Sequence, residues 1–563
     1  MTQTSFPAFL LLFILLSTLT RVHALWPQPR SLQTGSEALK LSPTFDIIVS
    51  GNIHFLPLDL REAISRTKEQ VKNDRLGRVV VGRGSSDQPL LFQAKQLDAL
   101  YLSFGEHATM SSIADEARKP LESRDEAYLL SVPCDGSPAT LVANSSLGAF
   151  RGLATFTQLW YNFNGTTYAL HLPVDIVDSP SYPYRGFMLD TARHYFPVID
   201  IKRMLDAMSW VKLNQLHWHA VDSQSFPLQV PRFMDLAHKG AYSPDEVYTP
   251  DDIADIVSYA GARGIDVLIE IDTPGHTSVI SKARAEHIAC PEFMPWRTFA
   301  NEPPAGQLRF ASPATTNFTA SLLEAVATMF PSTLFSPGGD ELNTNCYDQD
   351  KETQSILSST GQNLEQALDR FVRTTHQAVI DLGKTPVVWE EMVLVHNVTL
   401  HPETIALTWI SSDSVKAVAQ KGHRIIHAAA DFFYLDCGGG GWIAPDLAGN
   451  GYCDPFKTWQ HAYSFDPLAN LTTEEATLVL GGEHLLWTEQ SSSANLDPIV
   501  WPRAAASAEL YWTGPGGNTS DALSRLHDLS FRLQKRGVNA IPIQPLWCAL
   551  RPGACDLPTT SST

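Results

Sequence analysis

The alternation of hydrophobic and polar positions changes rhythm near residue 184. Before it, FDIIVS, RVVVGRG, DALYLSF and EAYLLSV are short apolar runs that read as strands, and LREAISRTKEQVKND has helical spacing. GAFRGLATFTQLWYN predicts a helix with Phe150, Leu153, Phe156 and Leu159 on its core face. Residues 25–180 therefore read as a small α/β domain without an evident catalytic constellation. The cluster Ser179-Pro180-Ser181-Tyr182-Pro183 punctuates the chain as a domain boundary does.

From Tyr184 onward, strand and helix alternate. Strand candidates are YRGFMLD, QLHWHAV, IDVLIEID, LFSPGGDE, TPVVWEE, TIALTWI, RIIHAAA and TLVLGGEHLLW. Helical segments such as IDIKRMLDAMSWVK, PDDIADIVSYAGARG, FTASLLEAVATMF and NLEQALDRFVRTTHQAVIDLG fall between most of them. About eight repeats over roughly 350 residues predict a closed (β/α)8 barrel over 181–563, with a C-terminal tail. The competing arrangement is an open doubly wound sheet, but no glycine-rich phosphate loop follows a strand here. DALSRLHDLSFRLQKRG would close the barrel.

Residues 8–19 are apolar but too short to span a bilayer comfortably, and Val22-His23-Ala24 places small residues where a signal peptidase cuts. Residues 1–24 thus read as a signal peptide, although no Lys or Arg precedes the apolar run. The mature chain is expected to have no membrane span and to be secreted or delivered to a vacuole or lysosome. Sequons at Asn144, Asn164, Asn317, Asn397, Asn470 and Asn518 agree with that route. The chain has 7 cysteines. In an oxidising compartment, proximity pairs Cys437 with Cys453 and Cys548 with Cys555, and elimination pairs Cys290 with Cys346. Cys134 is left as a free buried thiol. The net charge of −19 argues against nucleic acid or an anionic membrane as partner, since both need a basic face.

The chemistry concentrates in LFSPGGDEL. An apolar strand runs into Gly338-Gly339 and delivers Asp340 and Glu341 at its C-terminal tip, the end where barrel chemistry sits. An ordinary retaining glycosidase needs two carboxyls flanking the scissile bond. Neighbours on one strand tip cannot easily straddle a sugar. If Glu341 protonates the leaving oxygen, Asp340 is left to hold a group of the substrate itself. The adjacent negative charge is also expected to raise the pKa of Glu341. His217 and His219 flank Trp218 and invite a metal reading, but a third ligand is missing from that pattern, and no metal or cofactor is expected.

YRGFMLDTARHY, LHWHAVDSQSFP, EIDTPGH and GGDEL, with VVWEE, FYLD and WTE, resemble the β-N-acetylhexosaminidases, family 20 of the glycoside hydrolases. The resemblance spans the barrel, and the preceding domain is similar to that family's non-catalytic companion. It implies an exo-acting retaining enzyme that removes terminal β-linked GlcNAc or GalNAc through the substrate's own 2-acetamido group. Glu341 would be the general acid/base, Asp340 would orient the acetamido group, and Tyr434 would donate a hydrogen bond to its oxygen. Trp389, Trp409 and Trp487 would form an aromatic cage. Arg185 would hold the 3- and 4-hydroxyls, and Asp436 and Glu489 would accept from hydroxyls near O4 and O6. Asp222, Asp272 and His276 would support the acid pair, and His194 would position a loop. The resemblance also implies a homodimer acting on neutral oligosaccharides such as chitin fragments or N-glycan ends. A chitinase-type barrel would carry DxxDxDxE, which is absent, and a non-enzymatic sugar-binding scaffold would lack Asp340, Glu341 or Tyr434.

Overall fold

The computed structural model describes residues 24–51, 55–106, 108, 110–443 and 449–557. The expected signal peptide lies, but for its last residue, outside the described residues.

The N-terminal part is a six-stranded sheet built from β1 (Ser31–Val49), β2 (Lys95–Phe104), β3 (Tyr128–Val132), β4 (Ala139–Ala143), β5 (Tyr161–Phe163) and β6 (Thr166–Asp178), in the order β1-β2-β4-β3-β6-β5. β1 runs parallel to β2 and antiparallel to β6, so it binds the two sides of the sheet together. The helix Ser146–Gln158 is buried nearly all round because it lies between this sheet and the barrel. Its Arg151 reaches the Gly264 carbonyl on the barrel side at 2.8 Å. RVVVGRG is not a strand. Gly82, Arg83 and Gly84 take φ of 77°, 53° and 105°, which breaks the extended path into a 3-10 turn over Val81–Asp87.

The barrel follows as β7 (Tyr184–Asp190), β8 (Gln215–His219) and β9 (Asp266–Glu270). A short ribbon comes next, β10 (Ile288–Ala289) with β11 (Gln307–Leu308). The remaining staves are β12 (Leu334–Gly338), β13 (Thr385–Trp389), β14 (Ile405–Thr408), β15 (Arg424–His427) and β16 (Val479–Leu486). All eight staves are parallel, and β16 pairs with β7 to close the ring. Every position of β7, β8, β9, β12 and β16 is buried, as expected of strands covered on both faces. Helices between the staves start on their own caps. Thr249 and Asp252 form a capping box ahead of Pro250–Gly261, and Asn363 and Gln366 form one ahead of Leu364–Ile380.

Cys290–Cys346, Cys437–Cys453 and Cys548–Cys555 are bonded, with Cα separations of 5.9, 5.3 and 5.7 Å. Cys134 is free but only half-buried. Among the described residues, no helix is long and apolar enough to cross a membrane. All six sequon asparagines are exposed.

Candidate active site

The C-terminal ends of the staves surround a cavity of about 530 Å³. Asp340 and Glu341 line it because the end of β12 turns sharply. Gly338 and Gly339 have φ of 79° and 105°, and a Cβ on Gly338 would fall 1.9 Å from Asp272 Oδ1. That oxygen instead accepts from the Gly339 N–H at 2.9 Å and the Asp340 N–H at 3.3 Å. Asp272 therefore grips the turn that aims the acid pair. Glu341 and His276 face each other, and both are non-glycine residues in the left-handed region, with φ of 47° and 44°. Such backbone strain persists where surrounding packing over-determines it.

The two acids differ in surroundings. Asp340 is buried, and its Oδ1 has no protein partner. Burial raises its pKa well above the carboxylate range, assisted by Glu391, Glu341 and Asp272. Glu391 hydrogen-bonds Asp340 and accepts from the Trp409 indole N–H at 2.9 and 3.1 Å. Glu341 is more open, its side chain 28% exposed, with Oε2 3.6 Å from His276 Nε2. The Nδ1 of His276 meets Asp222 Oδ1 at 3.0 Å. Burial disfavours charge on His276, but Asp222 and Glu341 outweigh it and raise its pKa well above normal. Burial also pushes Asp272 up to about 7, against the pull of His276.

The aromatic wall is Trp409, Tyr434, Tyr452 and Trp487. Trp409 and Tyr434 stack with centroids 6.3 Å apart, and Tyr434 lies 6.3 Å from Trp487. Trp389 is not on the cavity surface. It is fully buried behind Trp487 at 6.0 Å, and its N–H donates to Glu270 Oε1 at 3.3 Å. Asp436 and Glu489 do line the cavity. Burial brings Asp436 to about 7 and Glu489 well above its normal value, and Asp436 Oδ1 has no protein partner. The Cys437–Cys453 bond holds Tyr452 and the Gly440–Trp442 stretch at the cavity edge.

Arg185 is a correction. It sits at the second position of β7, at the opposite end of the barrel, fully buried. Its Nη2 bonds both Glu126 oxygens at 2.7 and 2.6 Å, Nε meets the Lys212 carbonyl at 3.0 Å and Nη1 the Tyr182 carbonyl at 2.9 Å. No face is left for a sugar. Two arginines line the cavity instead, Arg297 from a short 3-10 turn and Arg193 just beyond the C-terminal end of the same strand. Arg193 meets Asp222 at 3.0 Å, Asp190 at 3.2 Å, Glu489 at 3.8 Å, and also Glu302, with its guanidinium 4.9 Å from the Trp487 ring centroid. Strand polarity carried the signal that separates Arg193 from Arg185. Glu302 and Tyr452 were also missed, since each enters from a loop without a motif of its own, whereas Glu391 closes the VVWEE motif but drew no role from it. His194 is near rather than in the cavity, its Nδ1 2.6 Å from the Thr488 carbonyl, one residue before Glu489.

Two groups of potential metal ligands, Asp222–His276–Glu302 and Asp272–His276–Asp340, share His276 and bring ligand atoms within 4.8 Å. Both nitrogens of that ring already face carboxylates, Asp222 and Glu341. A third group, Asp436–Cys437–Cys453, contains two sulfurs bonded to each other.

Residues 182–515 match the family model described as glycosyl hydrolase family 20, catalytic domain, and residues 25–159 match one described as beta-acetyl hexosaminidase like. A beta-hexosaminidase of Arthroderma benhamiae is 32% identical, covering 95% of this chain and 98% of its own. A beta-hexosaminidase 1 of Arabidopsis thaliana is also 32% identical, covering 98% and 99%. A chitooligosaccharidolytic beta-N-acetylglucosaminidase of Bombyx mori is 35% identical over 76% and 74%. Among solved structures, the chitobiase of Flavobacterium johnsoniae aligns with a TM-score of 0.72 at 26% identity, over 92% of this chain and 73% of that one.

Proposed function

Because this chain belongs to glycosyl hydrolase family 20 and is a glycoside hydrolase of the β-hexosaminidase kind, we propose that it removes single terminal β-linked GlcNAc or GalNAc residues with retention, using the substrate's acetamido group as nucleophile. The observation that carries this reading is the asymmetry of the acid pair. Asp340 is enclosed with a free Oδ1, while Glu341 is more open and faces His276.

Glu341 protonates the glycosidic oxygen. The acetamido oxygen attacks the anomeric carbon from within the sugar, the leaving alcohol departs, and an oxazolinium ion forms. Asp340 Oδ1 accepts the acetamido N–H, which gives that buried oxygen its missing partner and aims its dipole at the positive charge as it develops. Tyr434 donates to the attacking oxygen. Water, deprotonated by Glu341, then opens the ring from the face the leaving group vacated. Trp409 and Trp487 supply the apolar walls. Arg193, in place of Arg185, takes the 3- and 4-hydroxyls with its planar fork, while Asp436 and Glu489 accept from the remaining hydroxyls. Charged ligands for non-reducing hydroxyls end the sugar path there, which supports exo action.

The exposed sequons and the three disulfides support a secretory-route glycoprotein. The decisive assay compares aryl β-glycosides of GlcNAc and of glucose. Cleavage of the GlcNAc compound alone supports acetamido participation, whereas equal cleavage points to a protein nucleophile and ends this reading.

A further inference from the structure

His217 and His219 belong to a polar chain inside the barrel. His217 Nδ1 meets Glu483 Oε1 at 2.8 Å, and its Nε2 meets Glu270 Oε2 at 2.9 Å. His219 Nδ1 meets Glu270 Oε1 at 2.6 Å, and its Nε2 meets Asp222 Oδ2 at 3.0 Å. Asp222 holds His276 at 3.0 Å, and His276 faces Glu341 at 3.6 Å. Carboxylate and imidazole thus alternate without a break from Glu483 on β16 to Glu341, and the side chains of Glu483, His217, Glu270, His219 and Asp222 are all 0% exposed.

A neutral imidazole has one N–H, so a ring between two carboxylates satisfies both only as imidazolium. Burial opposes that charge, but the flanking carboxylates raise His217 to about 9 and His219 to about 10. Burial likewise opposes charge on Glu270, yet the two histidines hold its pKa far below the carboxylate range. Glu270 has a further tie, because Ser336 Oγ donates to its Oε2 at 2.6 Å. Ser336 sits on β12, the strand that ends in the acid pair.

We infer that Glu270 is a positioning residue for Glu341: it fixes His219, Asp222 and His276 on one side and β12 on the other, and so sets where the acid's carboxyl stands. This rests on Glu341 being the proton donor. Glu270→Gln keeps the shape but sets an amide N–H against an imidazole N–H. One ring then loses its acceptor and its second proton, and the grip on Asp222 loosens.

The test is a ratio, kcat/KM on diacetylchitobiose divided by kcat/KM on an activated nitrophenyl GlcNAc glycoside. Only the first needs a well-placed acid, and the ratio does not depend on how much protein is folded. In Glu270→Gln the ratio should drop at least about 10-fold, since small misplacements of a positioned group cost this much. Ser336→Ala, a milder change that decides the matter if Glu270→Gln does not fold, should lower it about 3-fold. Equal losses on both substrates would make the chain a matter of stability only and overturn the inference. Glu341→Gln is measured alongside. A drop there with none in the other two variants ends this inference alone, and no drop there ends the acid assignment and the inference with it.

Discussion

Asp340 and Glu341 are adjacent in sequence, yet the cavity treats them differently, and their substitutions should separate. Glu341→Gln should slow poor leaving groups by roughly 10²–10⁴-fold, the usual worth of a positioned acid. Activated aryl glycosides need little protonation and should lose less in their first step. Asp340→Asn should instead slow both leaving-group classes alike while the thermal midpoint holds or rises, because a carboxyl that resists ionisation in this burial is replaced by a neutral amide. Steady-state kinetics on the two substrate classes, with thermal melts, check both; a shared profile for the two variants would merge their roles. The arginines form a second contrast. Arg193→Met should raise KM and lower kcat/KM at the hydroxyl end of the cavity. Arg185→Met should leave kcat/KM per folded molecule near wild type but destabilise by up to about 3–5 kcal/mol, because it takes from buried Glu126 one of its two arginine partners and leaves only Arg151. Denaturant melts and active-site titration tell them apart. The motif YRGFMLDTARHY contains both arginines. Residue type alone cannot rank them, but barrel polarity does, because chemistry gathers where strands end.

The strand that presents the acids depends on two glycines. Gly338→Ala adds a Cβ where Asp272 Oδ1 already lies, at a φ of 79°. The strain is on the order of 1–3 kcal/mol, and the turn must move away from Asp272 to relieve it. The expected outcome is a folded protein with a lower melting temperature and a disproportionate loss of kcat; full activity would show that Asp272 does not fix the turn. Elements of this kind were readable in advance for a physical reason. All eight staves lie between the barrel core and the outer helices, so LFSPG, DVLIE and VLGGEHLL show as apolar runs closed by turn residues. The N-terminal sheet was harder. Most of β1, together with β4 and β6, passed unnoticed. β1 shows no regular alternation over its first half and is broken by register shifts, while β6 alternates only in its second half. RVVVGRG had strand composition but ends in glycines that pack too closely for an extended path, since a Cβ on Gly84 would lie 2.5 Å from the Tyr168 hydroxyl. Cys437–Cys453, by contrast, was legible because a short loop brings its cysteines together.

At the scale of the whole molecule, buried titratable groups pull stability against pH in two directions. Asp272 and Asp436 have folded pKa values of about 7 against an ordinary value of 3.8, both from burial, and Asp340 and Glu489 are raised as well. A carboxyl with a raised folded pKa binds its proton more tightly in the native state. Its contribution is complete below about pH 4 and is lost as pH climbs toward 7. His217 and His219, raised from 6.5 to about 9 and about 10, continue the same trend. Their contribution is complete below 6.5 and drains away through pH 9 to 10. Glu126 works in the other sense. Burial would raise its pKa, but Arg185 and Arg151 lower it to about 2, so its contribution holds above its unfolded value of 4.5 and fails only as pH falls toward 2. The net charge of −19 adds self-repulsion on the alkaline side. Burial lowers His376 and His427 to about 4 and His484 to about 3, so the contribution of these histidines is lost as pH falls below 6.5. The thermal midpoint should therefore form a broad maximum between about pH 4 and 6.5 and decline steadily from pH 6.5 to 9 at constant ionic strength. Asp436→Asn should raise the midpoint at pH 7 relative to that at pH 4, and His217→Gln should flatten the decline above 6.5. A midpoint that rises between pH 5 and 8 would mean that these carboxyls ionise in the native state at ordinary pKa values. The asymmetry assigned to the acid pair would then need another source than burial.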